Sequence, residues 1–227
     1  EAPLLRFMAV GSTLVFLSGY WDDMKSLNPA IRLTFHIVAA GLFLLFLPVS
    51  LAHIPVCLLW ITGMTNAFNL IDGANGLCLM MFIVASSVFA ACGFPFFFLP
   101  VASLAAGVLL WNFPRAKTFL GDGGTTLLGY LYSSLCLYSL TPFLEDVHVF
   151  ELPFFLLMAG GIPAADTLFA IMRRLAMRKS PFSPDRGHIH HRLLDRGWSP
   201  VLTVMILSVA QLLVVAGGVA FFGRFLV

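Results

Sequence analysis

The 227-residue sequence predicts an all-α, polytopic membrane bundle of about eight spans, forming one domain over residues 1–227. Three observations carry that expectation. Hydrophobic residues make up 59% of the chain and charged residues 11%, against roughly 25% charged in an ordinary soluble domain. A mean hydropathy of +0.95 and 23 Phe leave too little polar surface to coat a soluble core. The apolar residues also fall into runs on the scale of the roughly 20 that one helix needs to cross a hydrocarbon core. The runs do not alternate apolar and polar residues, which excludes a β-barrel. The same composition excludes disorder, collagen, a coiled coil and a secreted disulfide scaffold.

Each span is bounded by a polar break. Residues 3–20 end at Tyr20-Trp21, an interfacial aromatic pair, before the loop 22–28. Residues 31–49 run to a turn at 50–53, and residues 54–68 run to the polar segment 69–75. Residues 76–92 stop at Gly93, and residues 95–113 lead into the loop 112–124. Residues 125–140 follow a glycine-rich turn and precede the loop 141–151. Residues 152–172 enter the long loop 173–199, and residues 200–222 form the last span.

Alternate loops lie on alternate sides. Of 13 Lys and Arg, all but Arg6 and Arg224 fall towards the face that receives loops 22–28, 69–75, 112–124 and 173–199. An excess of base marks the cytoplasmic side. The opposite loop carries Glu145, Asp146 and Glu151 and no base. The net charge of +2 thus conceals an asymmetry that suits an anionic lipid or substrate at the inner face, topology signalling being the alternative. Cys57, Cys78, Cys92 and Cys136 sit in apolar runs without CxxC spacing and read as small hydrophobes. No removable signal peptide is seen, and Glu1 in place of Met points to a truncated or processed N-terminus.

Polar residues interrupt the apolar chain in four places. Asp22-Asp23 closes the first span; it either caps that span or faces a cation or an ionisable substrate. Asn66, Asn69 and Asp72 recur every three residues, within an arc of about 120° on one helix face. Such a stripe suits a wet site, or hydrogen bonds to neighbouring helices. Gly121-Asp122-Gly123-Gly124-Thr125 offers a helix start whose free N–H groups suit phosphate. Asp122 beside it suits Mg²⁺, which takes one or two protein oxygens together with substrate phosphates; a ligand-free cap is the alternative. His188, His190 and His191, beside Arg186 and Arg192, suit a diphosphate better than zinc, because no Cys lies nearby. His36, His53 and His148 stand alone and receive no role. Asp166 reads as structural, a partner for Arg173 or Arg174 or the point where its span nears water.

Together these segments resemble the polyprenyl-phosphate N-acetylhexosamine-1-phosphate transferases. Asp22-Asp23-Met24-Lys25-Ser26-Leu27-Asn28-Pro29 is similar to that family's Asp-Asp motif. The run Asn66 to Leu77 is similar to its N-x-x-N-x-x-D-G segment, and Phe119-Leu120-Gly121-Asp122-Gly123-Gly124 to its metal-binding turn. His188-Ile189-His190-His191 is similar to the H-I-H-H loop of the bacterial branch that uses UDP-N-acetylglucosamine. The likeness runs in order from about Ser12 to Trp198. One departure is Asn75, where many members carry a second Asp. The family also has more spans, so others are expected before Arg6 and after Phe222.

The resemblance implies Mg²⁺-dependent transfer, with Mn²⁺ as the alternative ion, of a sugar-1-phosphate from a UDP-N-acetylhexosamine to undecaprenyl phosphate, releasing UMP. It implies a multi-pass protein of the bacterial inner membrane, with its site on cytoplasmic helix ends and loops and no nucleic-acid partner. It assigns Asn69 and Asp122 to the metal, and Asp22 and Asp23 to orienting or deprotonating the acceptor. Asp72 with Asn66 would hold the nucleotide-sugar, and His188, His190, His191 and Arg192 the diphosphate or sugar. A transporter of an anionic solute and a lipid diphosphate phosphatase are the competing readings. Transporters place such residues near mid-membrane, whereas these lie at loop ends.

Overall fold

The structure, a computed structural model, describes residues 2–144, 147–181, 183 and 186–222, with side chains from residue 5 onward. Glu145, Asp146 and Arg224 of the charge pattern lie outside the described residues. Among the described residues the regular structure is all helical. The long helices are α1 (Ala2–Met24), α2 (Pro29–Leu44), α3 (Ile54–Ile71), α4 (Leu77–Ala91), α5 (Pro95–Asn112), α6 (Gly121–Leu140), α7 (Leu152–Ala176) and α9 (Pro200–Phe222). A short α8 (Ile189–Leu194) lies in the long loop, and a 3₁₀ turn, Thr141–Phe143, follows α6.

Each expected span has its helix, but the helices are not equally apolar. Four, namely α3, α5, α7 and α9, are long and apolar enough to cross a membrane on length and composition, and α2 and α4 are shorter apolar helices. The expectation of about eight spans thus meets eight long helices, of which these four carry the strongest membrane signature. The extra turns that polar segments add to α1, α3, α6 and α7 build the site described below. Asp22 and Asp23 lie in the last turn of α1, and Asp122 lies in the first turn of α6.

Helix ends are set locally. Asn28 caps α2 by accepting from Ala30 N at 2.9 Å, and Pro29 occupies the first turn, where its missing N–H costs nothing. The middle of α7 breaks at Gly161 (φ 59°), two residues before Pro163, and the side chain of Gln211 on α9 accepts from the freed Ile162 N at 2.7 Å. Proline interiors are tolerated in membranes where a neighbouring helix satisfies the liberated backbone in this way.

Helix α6 contacts both α1 and α3, α3 also contacts α2 and α7, and α4 carries α5 on one side and α9 on another. Phe68, Phe82, Phe89, Phe98 and Tyr132 form a buried aromatic cluster with edge-on, tilted and stacked contacts. Lipid tails are as apolar as these side chains, so close backbone approach has to supply much of the association. At α1–α6 a methyl on Gly19 would sit 2.5 Å from the Asp122 carbonyl oxygen, and at α3–α6 one on Gly129 would sit 2.6 Å from the Met64 carbonyl oxygen. This packing brings the C-terminal ends of α1, α3 and α7 to the same end of the bundle as the starts of α2, α4 and α6.

Candidate active site

A cavity of about 620 Å³ opens at that end. Its lining includes Arg32 from α2, Asn66, Asn69 and Asp72 from α3 and its cap, and His188, His190 and His191 from the α8 region. The helical three-residue spacing puts the α3 side chains on one wall, and tertiary packing sets the histidine segment against it.

Asn66 Nδ2 donates to Thr62 O at 2.8 Å and lies 3.1 Å from His36 Nδ1. With its amide nitrogen held by neighbours, Asn66 can turn its carbonyl oxygen to a ligand. Asn69 Nδ2 donates to Thr125 Oγ1 at 3.1 Å, and Thr125 Oγ1 in turn donates to Asp122 O at 3.2 Å. The C-terminal end of α3 is thereby tied to the glycine-rich first turn of α6. Burial against the cavity wall, reinforced by the Asp122 charge, pushes the Asp72 carboxyl up to about 6.

The aspartate doublet divides its work. Asp22 Oδ1 accepts from Leu27 N at 2.6 Å, and Asp22 Oδ2 pairs with Arg32 Nη1 at 2.5 Å. The same Arg32 nitrogen reaches Asp122 Oδ2 at 2.9 Å, so one guanidinium joins α1, α2 and α6 at the cavity edge. Asp23 accepts from Asp122 N at 2.9 Å and Gly123 N at 3.3 Å. It is a non-local N-cap for α6, placed by a different helix. Gly121 permits this through its φ of 63°, and a methyl there would fall 2.5 Å from Asp23 Oδ2.

The histidine segment is anchored from α7. Asp166 Oδ2 lies 2.7 Å from His188 Nδ1, and Asp166 Oδ1 accepts from Ile189 N at 2.9 Å. His190 is 1% exposed, and neither of its ring nitrogens has a partner among the described residues. Burial, with the adjoining His191 and His188 outweighing Asp166, lowers its pKa to about 4. Its Nε2 rests so close to Gly73 that a methyl there would lie 1.9 Å away. Arg192 is exposed on α8 and is not among the residues lining the cavity. Asn75 donates to Pro114 O at 3.3 Å, a bond that an ionised Asp, which has no donor, could not make.

Sequence reasoning missed Arg32 as a site residue and left Asp166 structural. The signal for Arg32 was a lone cation one turn into an apolar helix. For Asp166 nothing in the sequence indicated that a residue 22 positions away would be its partner.

The model of the family described as Glycosyl transferase family 4 matches residues 5–140, which covers the aspartate doublet, the α3 stripe and the α6 turn. This chain belongs to glycosyl transferase family 4. Among its relatives, it is 31% identical over 88% of its length to the probable undecaprenyl-phosphate N-acetylglucosaminyl 1-phosphate transferase of Bacillus subtilis. It is 33% identical over 78% of its length to the undecaprenyl-phosphate alpha-N-acetylglucosaminyl 1-phosphate transferase of Thermotoga maritima. The phospho-N-acetylmuramoyl-pentapeptide-transferase of Clostridium botulinum is 28% identical over 74% of the chain. The chain spans 61%, 57% and 51% of the lengths of these three relatives.

Proposed function

We propose that this family 4 protein transfers N-acetylglucosamine-1-phosphate from its UDP derivative to undecaprenyl phosphate, releasing UMP, at the cytoplasmic face of a bacterial inner membrane. The supporting observation is the shared cavity: the amide–carboxylate wall of α3 faces the histidine segment, and Arg32 joins its edge to Asp22 and Asp122. In the reaction an oxygen of the acceptor phosphate bonds to the β-phosphorus of the UDP-sugar. The bond from that phosphorus to the oxygen bridging to UMP breaks, and UMP leaves with the electron pair.

Both reactants are anions, so the site has to offset their repulsion before the phosphorus and its nucleophile can meet. The donor set fits a hard cation. Asn69 and Asp122 present oxygens near a carboxyl, Asp72, whose proton is held chiefly by burial and, to a lesser extent, by the charge of Asp122. Two protein oxygens would leave the rest of such an ion's shell to substrate phosphates and water. Mg²⁺, or Mn²⁺ in its place, would be held by Asn69 and Asp122 and would supply charge neutralisation at the phosphates.

The remaining residues bind and orient. A phosphate monoester has a second pKa near ~6, so most of the acceptor is already a dianion at neutral pH and needs no strong base. The geometry of the doublet agrees: Asp22 holds Arg32, and Asp23 holds the start of α6. Asn66, His188, His190 and His191 face the volume left for the nucleotide-sugar. His190 lines the cavity, and neither of its buried ring nitrogens has a partner among the described residues, so a bound ligand could supply one.

The test is a UMP-release assay on the full-length protein with a panel of UDP-sugars, undecaprenyl phosphate and Mg²⁺. UMP should appear only when donor, acceptor and metal are all present, and fastest with UDP-N-acetylglucosamine. Release of inorganic phosphate from a lipid diphosphate, with no UMP from any UDP-sugar, would instead establish a phosphatase.

A further inference from the structure

We propose that Asp166 is a positioning residue of the transferase, which fixes the histidine segment and selects the ring nitrogen that His188 turns to the nucleotide-sugar. This rests on the function proposed above and adds a residue that its motifs do not contain.

The carboxylate makes two contacts with different consequences. Oδ1 accepts from Ile189 N at 2.9 Å, fixing the backbone where the loop enters α8. Oδ2 lies 2.7 Å from His188 Nδ1. The pair is buried, with side-chain exposures of 4% for His188 and 9% for Asp166, so little water competes for either group. A carboxylate can only accept, so Nδ1 must carry the proton in this contact. The choice of tautomer follows: Nε2 is the nitrogen left for the cavity that His188 lines, and it has no partner among the described residues.

Helix α7 is a rigid support for such a device. Asp166 follows the break at Gly161–Pro163, whose freed backbone is satisfied by Gln211. The next turns of α7 bring Thr167, Ile171 and Arg174 to the cavity lining. The helix that forms one wall therefore also aims the histidine opposite the α3 stripe. Oriented ligand histidines elsewhere depend on carboxylates of this kind, whose loss costs about 10- to 100-fold in affinity or activity.

Asp166→Asn separates the two contacts. The amide oxygen can still accept from Ile189 N, but the amide nitrogen is a donor and demands an unprotonated Nδ1, which moves the His188 proton to Nε2. In the full-length protein we expect Asp166→Asn to retain its thermal midpoint while losing about 10- to 100-fold in kcat/KM for the UDP-sugar. The KM for undecaprenyl phosphate should stay unchanged. In a His188→Ala background the same substitution should cost nothing further, because its effect passes through the missing ring. Nitrogen-15 spectra of histidine-labelled protein should show Nδ1 protonated in the parent and Nε2 protonated in Asp166→Asn. Equal losses in the two backgrounds, or full activity in Asp166→Asn, would reduce Asp166 to a backbone cap. The spectra need no substrate, so they test the tautomer even if the parent releases no UMP, an outcome that would refute the function and leave the geometry standing.

Discussion

Gly19→Ala tests whether helix packing inside the bundle sets the chemistry at its end. The added methyl would meet the Asp122 carbonyl oxygen at 2.5 Å and the Gly123 nitrogen at 2.6 Å. Ordinary contact begins near 3.4 Å, so α1 and α6 must part by about 0.9 Å. The obstacle is backbone and cannot rotate aside. Overpacking of this kind costs about 1–3 kcal/mol, and each kcal/mol lowers the thermal midpoint of a chain this size by about 2–4 °C. The larger effect falls on turnover, because the parted segment carries Asp122, and a misplacement of about 1 Å can cost about 100-fold. The assay is Mg²⁺-dependent UMP release by the detergent-purified full-length protein, with a thermal melt alongside. Gly41→Ala is the control, since nothing lies within 4 Å of its added methyl; it should melt level with the parent or above it, by up to about 1 kcal/mol, because Ala is the better helix former. If Gly19→Ala kept more than half the parental rate, the close crossing of α1 and α6 would not be what positions the α6 turn.

Three further outcomes are expected. Asp23→Ala removes a carboxylate cap from α6 and should cost about 0.5–2 kcal/mol in a thermal melt; Asp23→Asn, which keeps an acceptor for Asp122 N, should recover most of that loss and much of the turnover, and an inactive but fully stable Asp23→Asn would show that the charge acts on substrate. Gly73→Ala drives a methyl into His190 Nε2 and should raise the KM for the UDP-sugar about tenfold or more, measured by UMP release at varied donor concentration. Asp72, pushed up to about 6, favours the fold in its protonated form. Its contribution is therefore full below about pH 4, near the unfolded carboxyl value, and is lost as pH rises through about 6. Metal-free Asp72→Asn protein should melt above the parent at pH 7 and level with it near pH 4, the gap narrowing when Mg²⁺ is added; a variant that melts below the parent at pH 7 would contradict the burial cost.

Hydropathy made the helices legible because a membrane leaves the backbone no alternative to internal hydrogen bonding. The start of α9 at Pro200 and of α5 at Pro95 follow directly from the sequence, as do the polar breaks that carry the four motifs. The three-residue repeat Asn66-Asn69-Asp72 was equally readable, since helical period alone puts these side chains on one face. Local pattern could not reveal partners. The doublet Asp22-Asp23 looks symmetrical in sequence, yet one carboxylate grips Arg32 and the other caps α6, because adjacent residues on a helix point about 100° apart. Arg192 belongs to the motif by spacing but stands on the exposed side of a six-residue helix.

Sequence by itself thus determined the all-helical class, the polar interruptions and the family, all of which depend on short-range composition and order. Only the tertiary structure decided that Asp166 meets His188, that Asp23 meets the first N–H groups of α6, and that one guanidinium joins Asp22 to Asp122. These contacts span 22, 99 and 90 residues of chain. They exist because close helix crossings, such as those at Gly19 and Gly129, bring distant ends together, and no local pattern of residue types encodes those distances.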